Sequence, residues 1–184
     1  PYFNNLIKPI LAQKGNSLPV SAFTPDGSVP TGTTKFEKRG IAAYVPEWIP
    51  ENCIQCNQCS LVCPHACIRP ILTDDKQTAK APKGYVTKPA TGLDGYSYRM
   101  QVSPLDCTGC ASCANVCPAK EKALKMVPLE QAVKNDEKNW EYTTKLPTPD
   151  VSAKFKPDSI KGSQFKKPLF EFSGACAGCG ETPY

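Results

Sequence analysis

Eight of the cysteines in this 184-residue chain fall into two copies of one string. Cys53, Cys56, Cys59 and Cys63 are followed by Pro64, and Cys107, Cys110, Cys113 and Cys117 by Pro118, so both copies read C-x-x-C-x-x-C-x-x-x-C-P. Thiolates at this spacing are ligands for four-iron, four-sulfur clusters, whose chemistry is the storage of single electrons. Three thiolates spaced in this way converge on one cubane only when the backbone curls around it, which also turns peptide N–H groups toward the sulfides. The fourth cysteine lies too far along to close the same cube and reaches across to the other. The spacing therefore predicts one cluster on Cys53, Cys56, Cys59 and Cys117, and a second on Cys107, Cys110, Cys113 and Cys63. Structural zinc is the competing use of these thiols, but zinc sites favour paired C-x-x-C units over a trio followed by C-P.

The repeat extends past the cysteines. Pro50 and Pro104 stand at matching positions before the first ligands, as do Asn52 and Asp106. The proline after each fourth ligand suits the first turn of a short helix. The apolar stretches 68–72 and 124–127 read as strands, and Tyr96, Tyr98, Met100 and Val102 alternate with Ser97, Arg99 and Gln101 as a half-buried strand does. Residues 40–45 predict a matching strand before the first string. The expected fold class is α+β: a two-[4Fe-4S] ferredoxin-like domain of the bacterial kind over 40–128, with an insertion at about 73–95, flanked by extended, Pro-rich segments. Around it lie an N-terminal extension and linker (1–39) and a connector (129–168). The extension holds a helix on Phe3, Leu6, Ile7, Ile10 and Leu11, interrupted by Pro9 and ended by Gly15, then a turn at Pro25-Asp26-Gly27 and a linker over 29–39. The connector holds a short helix at 129–138, then extended chain over 146–168.

Nineteen prolines and twelve glycines in a chain 40% hydrophobic point to much irregular backbone, as metal-stapled folds tolerate. Eleven cysteines is an odd number with no signal peptide before it, so a reducing cytoplasm is the expected compartment and a disulfide framework is not. No apolar run is long enough to span a membrane. The formal charge of +5 counts every thiol as neutral; two clusters at about −2 each bring it to roughly +1, which removes the argument for a nucleic-acid partner. Lys161, Lys166 and Lys167 read as solvated surface. Cys67 reads as a small buried hydrophobe on a helix, with a replacement ligand as the alternative, and His65 as a partly exposed helix residue. Trp48, Tyr44 and Tyr98 suit either core packing or shielding of the clusters from water. Near the end, Cys176 and Cys179 form a C-x-x-C that is half of a four-ligand site, with a redox dithiol as the alternative; Gly174, Gly178 and Gly180 let the backbone approach what the thiolates hold.

Beyond the cysteine strings, four stretches are distinctive: Phe3-Asn4-Asn5-Leu6 with Pro9-Ile10-Leu11; Val45-Pro46-Glu47-Trp48-Ile49-Pro50 leading into the first string; Lys161-Gly162-Ser163-Gln164-Phe165; and Phe172-Ser173-Gly174-Ala175-Cys176 through Cys179-Gly180-Glu181-Thr182-Pro183-Tyr184. In these the chain resembles an internal piece of the pyruvate:ferredoxin (flavodoxin) oxidoreductases, large single-chain 2-oxoacid oxidoreductases. The resemblance implies a parent enzyme that cleaves pyruvate on thiamine diphosphate and Mg, passes acetyl to CoA, and releases electrons singly through three [4Fe-4S] clusters to ferredoxin or flavodoxin. It implies that the eight string cysteines hold the medial and distal clusters and that Cys176 and Cys179 are half of the proximal one. Glu181 would lie against thiamine diphosphate, and 169–184 would begin the domain that binds it. No catalytic residue falls in the piece, so the expected partners are the remaining domains of the parent, a cytoplasmic homodimer. Pyruvate and CoA would act on the parent alone. The start at Pro1, with no methionine, fits a chain cut from something longer. A free-standing two-cluster carrier and a zinc-stapled interaction module are the other functional readings.

Overall fold

Each cysteine string is bracketed by strands in the computed structural model, which describes residues 1–28 and 38–168. β1 (Tyr44–Trp48) enters the first string and β2 (Ile68–Thr73) leaves it. After the short β3 (Lys88–Pro89), β4 (Ser97–Val102) enters the second string and β5 (Leu124–Pro128) leaves it. The pairing is crossed. β1 runs antiparallel to β5, with Val45 opposite Val127 and Trp48 opposite Leu124. β4 runs antiparallel to β2, with Val102 opposite Ile68 and Tyr98 opposite Leu72, and β3 adds to its other side. Each sheet thus joins the entering strand of one repeat to the leaving strand of the other. The strand expected at 40–45 begins only at Tyr44, because Gly40 turns the chain at φ +58° and donates its N–H to Leu105 O at 2.9 Å.

Residues 1–35 and 36–184 form two units. In the first, α1 (Lys8–Leu11) continues a π-helical turn at Phe3–Ile7. Pro9 lies in the opening turn of α1, where a missing N–H is least felt. The chain leaves α1 through Gln13, at φ +58°, so Gln13 and not Gly15 makes the left-handed exit; Gly15 opens a 3-10 turn. Gly27 N donates to Thr24 O in the expected turn. Most of the expected linker at 29–39 lies outside the described residues.

In the second unit, α2 (Gln58–Leu61) and α4 (Ser112–Val116) carry the third cysteine of each string and stop before the fourth. The helices expected to start at Pro64 and Pro118 do not form. Each proline instead stands just past a helix end, where it blocks continuation. α3 (Asp75–Ala79), between the strings, is closed by a capping box in which Asp74 Oδ1 accepts from Gln77 N–H at 2.7 Å and Gln77 Oε1 from Asp74 N–H at 2.9 Å. α5 (Leu129–Thr143) runs well past the expected 129–138 and buries Ala132, Asp136, Asn139, Trp140 and Thr143. The i, i+3, i+4 spacing is helical, but the buried face is largely polar, which conceals the helix from a hydrophobic pattern.

That polar face meets β4, whose alternation predicts Arg99 and Gln101 turned to solvent. Both are buried. Arg99 donates Nη2–H to Asp136, Nε–H to Gln101 Oε1 at 2.6 Å and Nη1–H to Val86 O at 2.8 Å. Its guanidinium also lies over the Tyr85 ring at 4.9 Å and the Trp48 ring at 5.8 Å. On the other face of β4, Tyr98 and Met100 pack with Trp48, Ile68, Leu72 and Leu124. The 146–168 segment is not simply extended. It forms α6 (Ile160–Gln164), capped by Ser159 Oγ, and buries Val151 and Phe165 in this core, the Phe165 ring standing perpendicular to Tyr98 at 6.3 Å. A Cβ on Gly162 would collide with the Lys156 carbonyl, so the turn beneath α6 closes only over glycine. Among the described residues no helix is long and apolar enough to cross a membrane.

Candidate metal centre

The middle cysteine of each trio is flanked by residues of left-handed backbone. Gln55 (φ +57°) and Asn57 (φ +62°) surround Cys56, and Gly109 (φ +75°) and Ala111 (φ +60°) surround Cys110. For a residue with a side chain this conformation costs about 1–2 kcal/mol, and successive changes in the sign of φ curl each loop as in an anion-binding nest. Gly109 N–H points at Cys107 Sγ (3.4 Å) and Ala123 N–H at Cys117 Sγ (3.5 Å).

Side chains hold the first loop in this shape. Gln55 Nε2 donates to Pro89 O at 2.7 Å while its Oε1 accepts from Thr91 N–H at 2.8 Å. Asn57 Oδ1 accepts from Tyr98 OH at 2.8 Å, and its Nδ2 donates to Lys161 O at 3.1 Å. Lys88 Nζ caps Pro50 O and Cys53 O at 2.7 and 2.8 Å. The sequence reading missed Gln55 and Asn57. The second loop is held by close approach, since a Cβ on Gly109 would stand 2.9 Å from Tyr44 O and 3.1 Å from Ala42 Cβ. Gly109→Ala is therefore expected to cost about 1–3 kcal/mol, seen as a fall of several degrees in Tm; an unchanged Tm would mean that this loop yields freely.

Two cavities gather the eight string cysteines in fours. Cys53, Cys56, Cys59 and Cys117 line one, with Trp48, Tyr98 and Met100. Cys107, Cys110, Cys113 and Cys63 line the other, with His65, Cys67 and Val102. None of the described cysteines is in a disulfide. Burial pushes the Cys59 thiol far above its usual range and Cys113 up to about 12, with neighbouring cysteines adding to both. Thiolates here need cations beside them.

The donor set is soft and all sulfur, which suits zinc or an iron-sulfur cluster. Zinc holds its sulfurs at about 2.3 Å from one point. Among the described residues no three His, Cys, Asp or Glu are grouped tightly enough to hold a single ion, a closeness that a cluster with several irons between its sulfurs would not require. Trp48 lines the first cavity, and its buried Nε1–H has no acceptor among the described residues. An inorganic sulfide or ligand sulfur would supply one. A [4Fe-4S] cluster therefore fits the residues present.

Other expectations meet mixed outcomes. Tyr98 and Trp48 are buried against the first cavity, while Tyr44 is 57% exposed on β1. His65 is buried in the turn after Cys63, not exposed on a helix. Cys67 is buried too, but just ahead of β2 and not on a helix. Lys161 is not merely solvated: its Nζ stands 4.3 Å over the Phe155 ring. Cys176, Cys179 and Glu181 lie outside the described residues.

Two interlocked strand pairs frame two four-sulfur cavities, and residues 52–121 match the family described as a 4Fe-4S dicluster domain. Residues 1–42 match a second family, EKR, described as a domain of unknown function. Over its whole length the chain is 60% identical to part of the pyruvate:ferredoxin oxidoreductase of Moorella thermoacetica and 50% identical to part of the pyruvate-flavodoxin oxidoreductase of Klebsiella pneumoniae. It is 48% identical to part of a mitochondrial pyruvate dehydrogenase [NADP(+)] of Euglena gracilis. It spans 16% of the length of the first two proteins and 10% of the third.

Proposed function

We propose that this chain is the electron-transfer segment of a pyruvate:ferredoxin (flavodoxin) oxidoreductase, with one [4Fe-4S] cluster on Cys53, Cys56, Cys59 and Cys117 and another on Cys107, Cys110, Cys113 and Cys63. The observation that carries this reading is the grouping of eight thiols around two separate cavities. Bound there, the clusters supply one-electron storage with little bond rearrangement. The protein does the rest. Its thiolates fix each site, the left-handed loops aim N–H groups at sulfur, and Trp48, Tyr98 and Met100 on one side, with Val102 and Ile68 on the other, keep water out.

In this reading 40–128 is the two-cluster domain with 73–95 as its insertion, 1–39 an extension, 129–168 a connector, and 169–184 the start of a thiamine-diphosphate-binding domain. Cys176 and Cys179 are half of a third cluster, and Glu181 contacts the thiamine cofactor. The names and identities of the relatives support pyruvate as the substrate of the larger protein and ferredoxin or flavodoxin as its acceptor. Cleavage of pyruvate and acylation of CoA belong to its other domains, in a cytoplasmic homodimer.

Anaerobic iron and sulfide determination tests this. About eight of each per chain, two clusters' worth, with absorbance bleached by dithionite, is the expected result. Zinc without sulfide would overturn it. About twelve irons would contradict the reading that Cys176 and Cys179 supply only half of a third site within this chain.

A further inference from the structure

The second cavity contains a thiol that the ligand quartet does not use. Cys67 lines it beside Cys63 and Cys107 and is 3% exposed. Its Sγ stands 3.4 Å from Cys63 Sγ, and Cys107 lines the same cavity beside them. The position is set by the backbone on both sides. Ala66 before it is left-handed at φ +49°, and Cys67 O accepts from Ser103 N–H at 2.7 Å, just where the chain leaves β4 for the second string. The other repeat has no counterpart. Glu121, at the same interval after Cys117, is exposed, and no fifth cysteine is among the residues lining the first cavity.

Resting on the ligand assignment proposed above, we infer that Cys67 donates its one S–H to the coordinating sulfur of Cys63, with that of Cys107 beside it, and raises the reduction potential of that cluster relative to the other. A coordinated thiolate has no proton and only accepts, so the proton of the Cys63–Cys67 pair belongs to Cys67. Adding one electron to a cluster increases the negative charge on its sulfurs. A donor aimed at them therefore stabilises the reduced form more than the oxidised form, and low local dielectric strengthens the effect. No bond forms or breaks when the electron arrives, and the proton stays on Cys67 Sγ. Two cages built from one repeated string are thereby made unequal, and an electron shared between them rests on the Cys67 side.

The test compares Cys67→Ala and Cys67→Ser with the parent protein, using the full chain loaded with clusters. Potentials are read by EPR during a dithionite titration, alongside iron and sulfide content. Both variants are expected to keep about eight irons, two clusters' worth. In Cys67→Ala one of the two potentials should move negative enough to cut the reduced-to-oxidised ratio about tenfold at a fixed ambient potential, which is about 59 mV for one electron. The other should stay put. Cys67→Ser keeps a donor and should fall between Cys67→Ala and the parent. Two unmoved potentials, or a positive shift, with iron retained would overturn the role of Cys67 and leave the quartets standing. Loss of about four irons from Cys67→Ala would make Cys67 a ligand and overturn both.

Discussion

Replacing Cys59 by alanine should remove one cluster and with it most of the stability of the domain. Cys59 begins the turn of α2 beneath the first cavity, and its thiol is one of the four that line it. A trio reduced to two leaves the remaining thiolates buried without enough cation to hold them, and structural metal sites commonly contribute about 10 kcal/mol or more to folding. That exceeds or matches the whole stability of an ordinary domain, about 5–15 kcal/mol. Iron should fall from about eight to about four per chain, the count of one cluster, and cooperative melting should move far down or vanish. Unchanged iron and an unchanged Tm would show that Cys59 is not a ligand.

Arg99→Met should be the most damaging change away from the cysteines. Arg99 and Asp136 side chains are only 8% and 7% exposed, and the guanidinium meets Gln101 and the Val86 carbonyl as well as the carboxylate. Methionine fills much of the volume but strands a buried carboxylate, for which the usual cost is about 3–5 kcal/mol. Thermal unfolding should register a drop of roughly 10 °C in Tm. Arg99→Met combined with Asp136→Leu should recover much of the loss, because the penalty lies in the unpaired charge and not in the absent bridge. A single variant as stable as the parent would mean that water reaches Asp136. Iron content should be unchanged in both, which separates this effect from that of Cys59→Ala.

What could be read from the residues was whatever local spacing dictates. The cysteine strings are local, as are the strands around 68–72 and 124–127, and β2 and β5 lie there. Helix placement depended on something less visible. Pro64 and Pro118 are compatible with a helix start or a helix end, and the need to present Cys59 and Cys113 on a first turn decides for the end. The Arg99–Asp136 pair joins a strand to a helix far along the chain, so no window of sequence contains it. The same holds for Phe165, whose Pro-rich surroundings suggest a bare tether while its ring packs on Tyr98. Gln55 and Asn57 look like ordinary loop residues, and only their left-handed backbone and buried amides reveal them as clamps on the first loop.

The exchange of strands between the repeats limits how such a molecule can come into being. Half of it, on its own, would own an entering strand whose neighbour is missing and three sulfurs whose fourth is missing, since β1 finds β5 and β4 finds β2. Two separate half-length peptides would have to embrace to complete one another, so the tethered pair behaves as a dimer written on one message. A ribosome therefore releases nothing finished until β5 has emerged, and damage that strips either cage is felt by both halves at once.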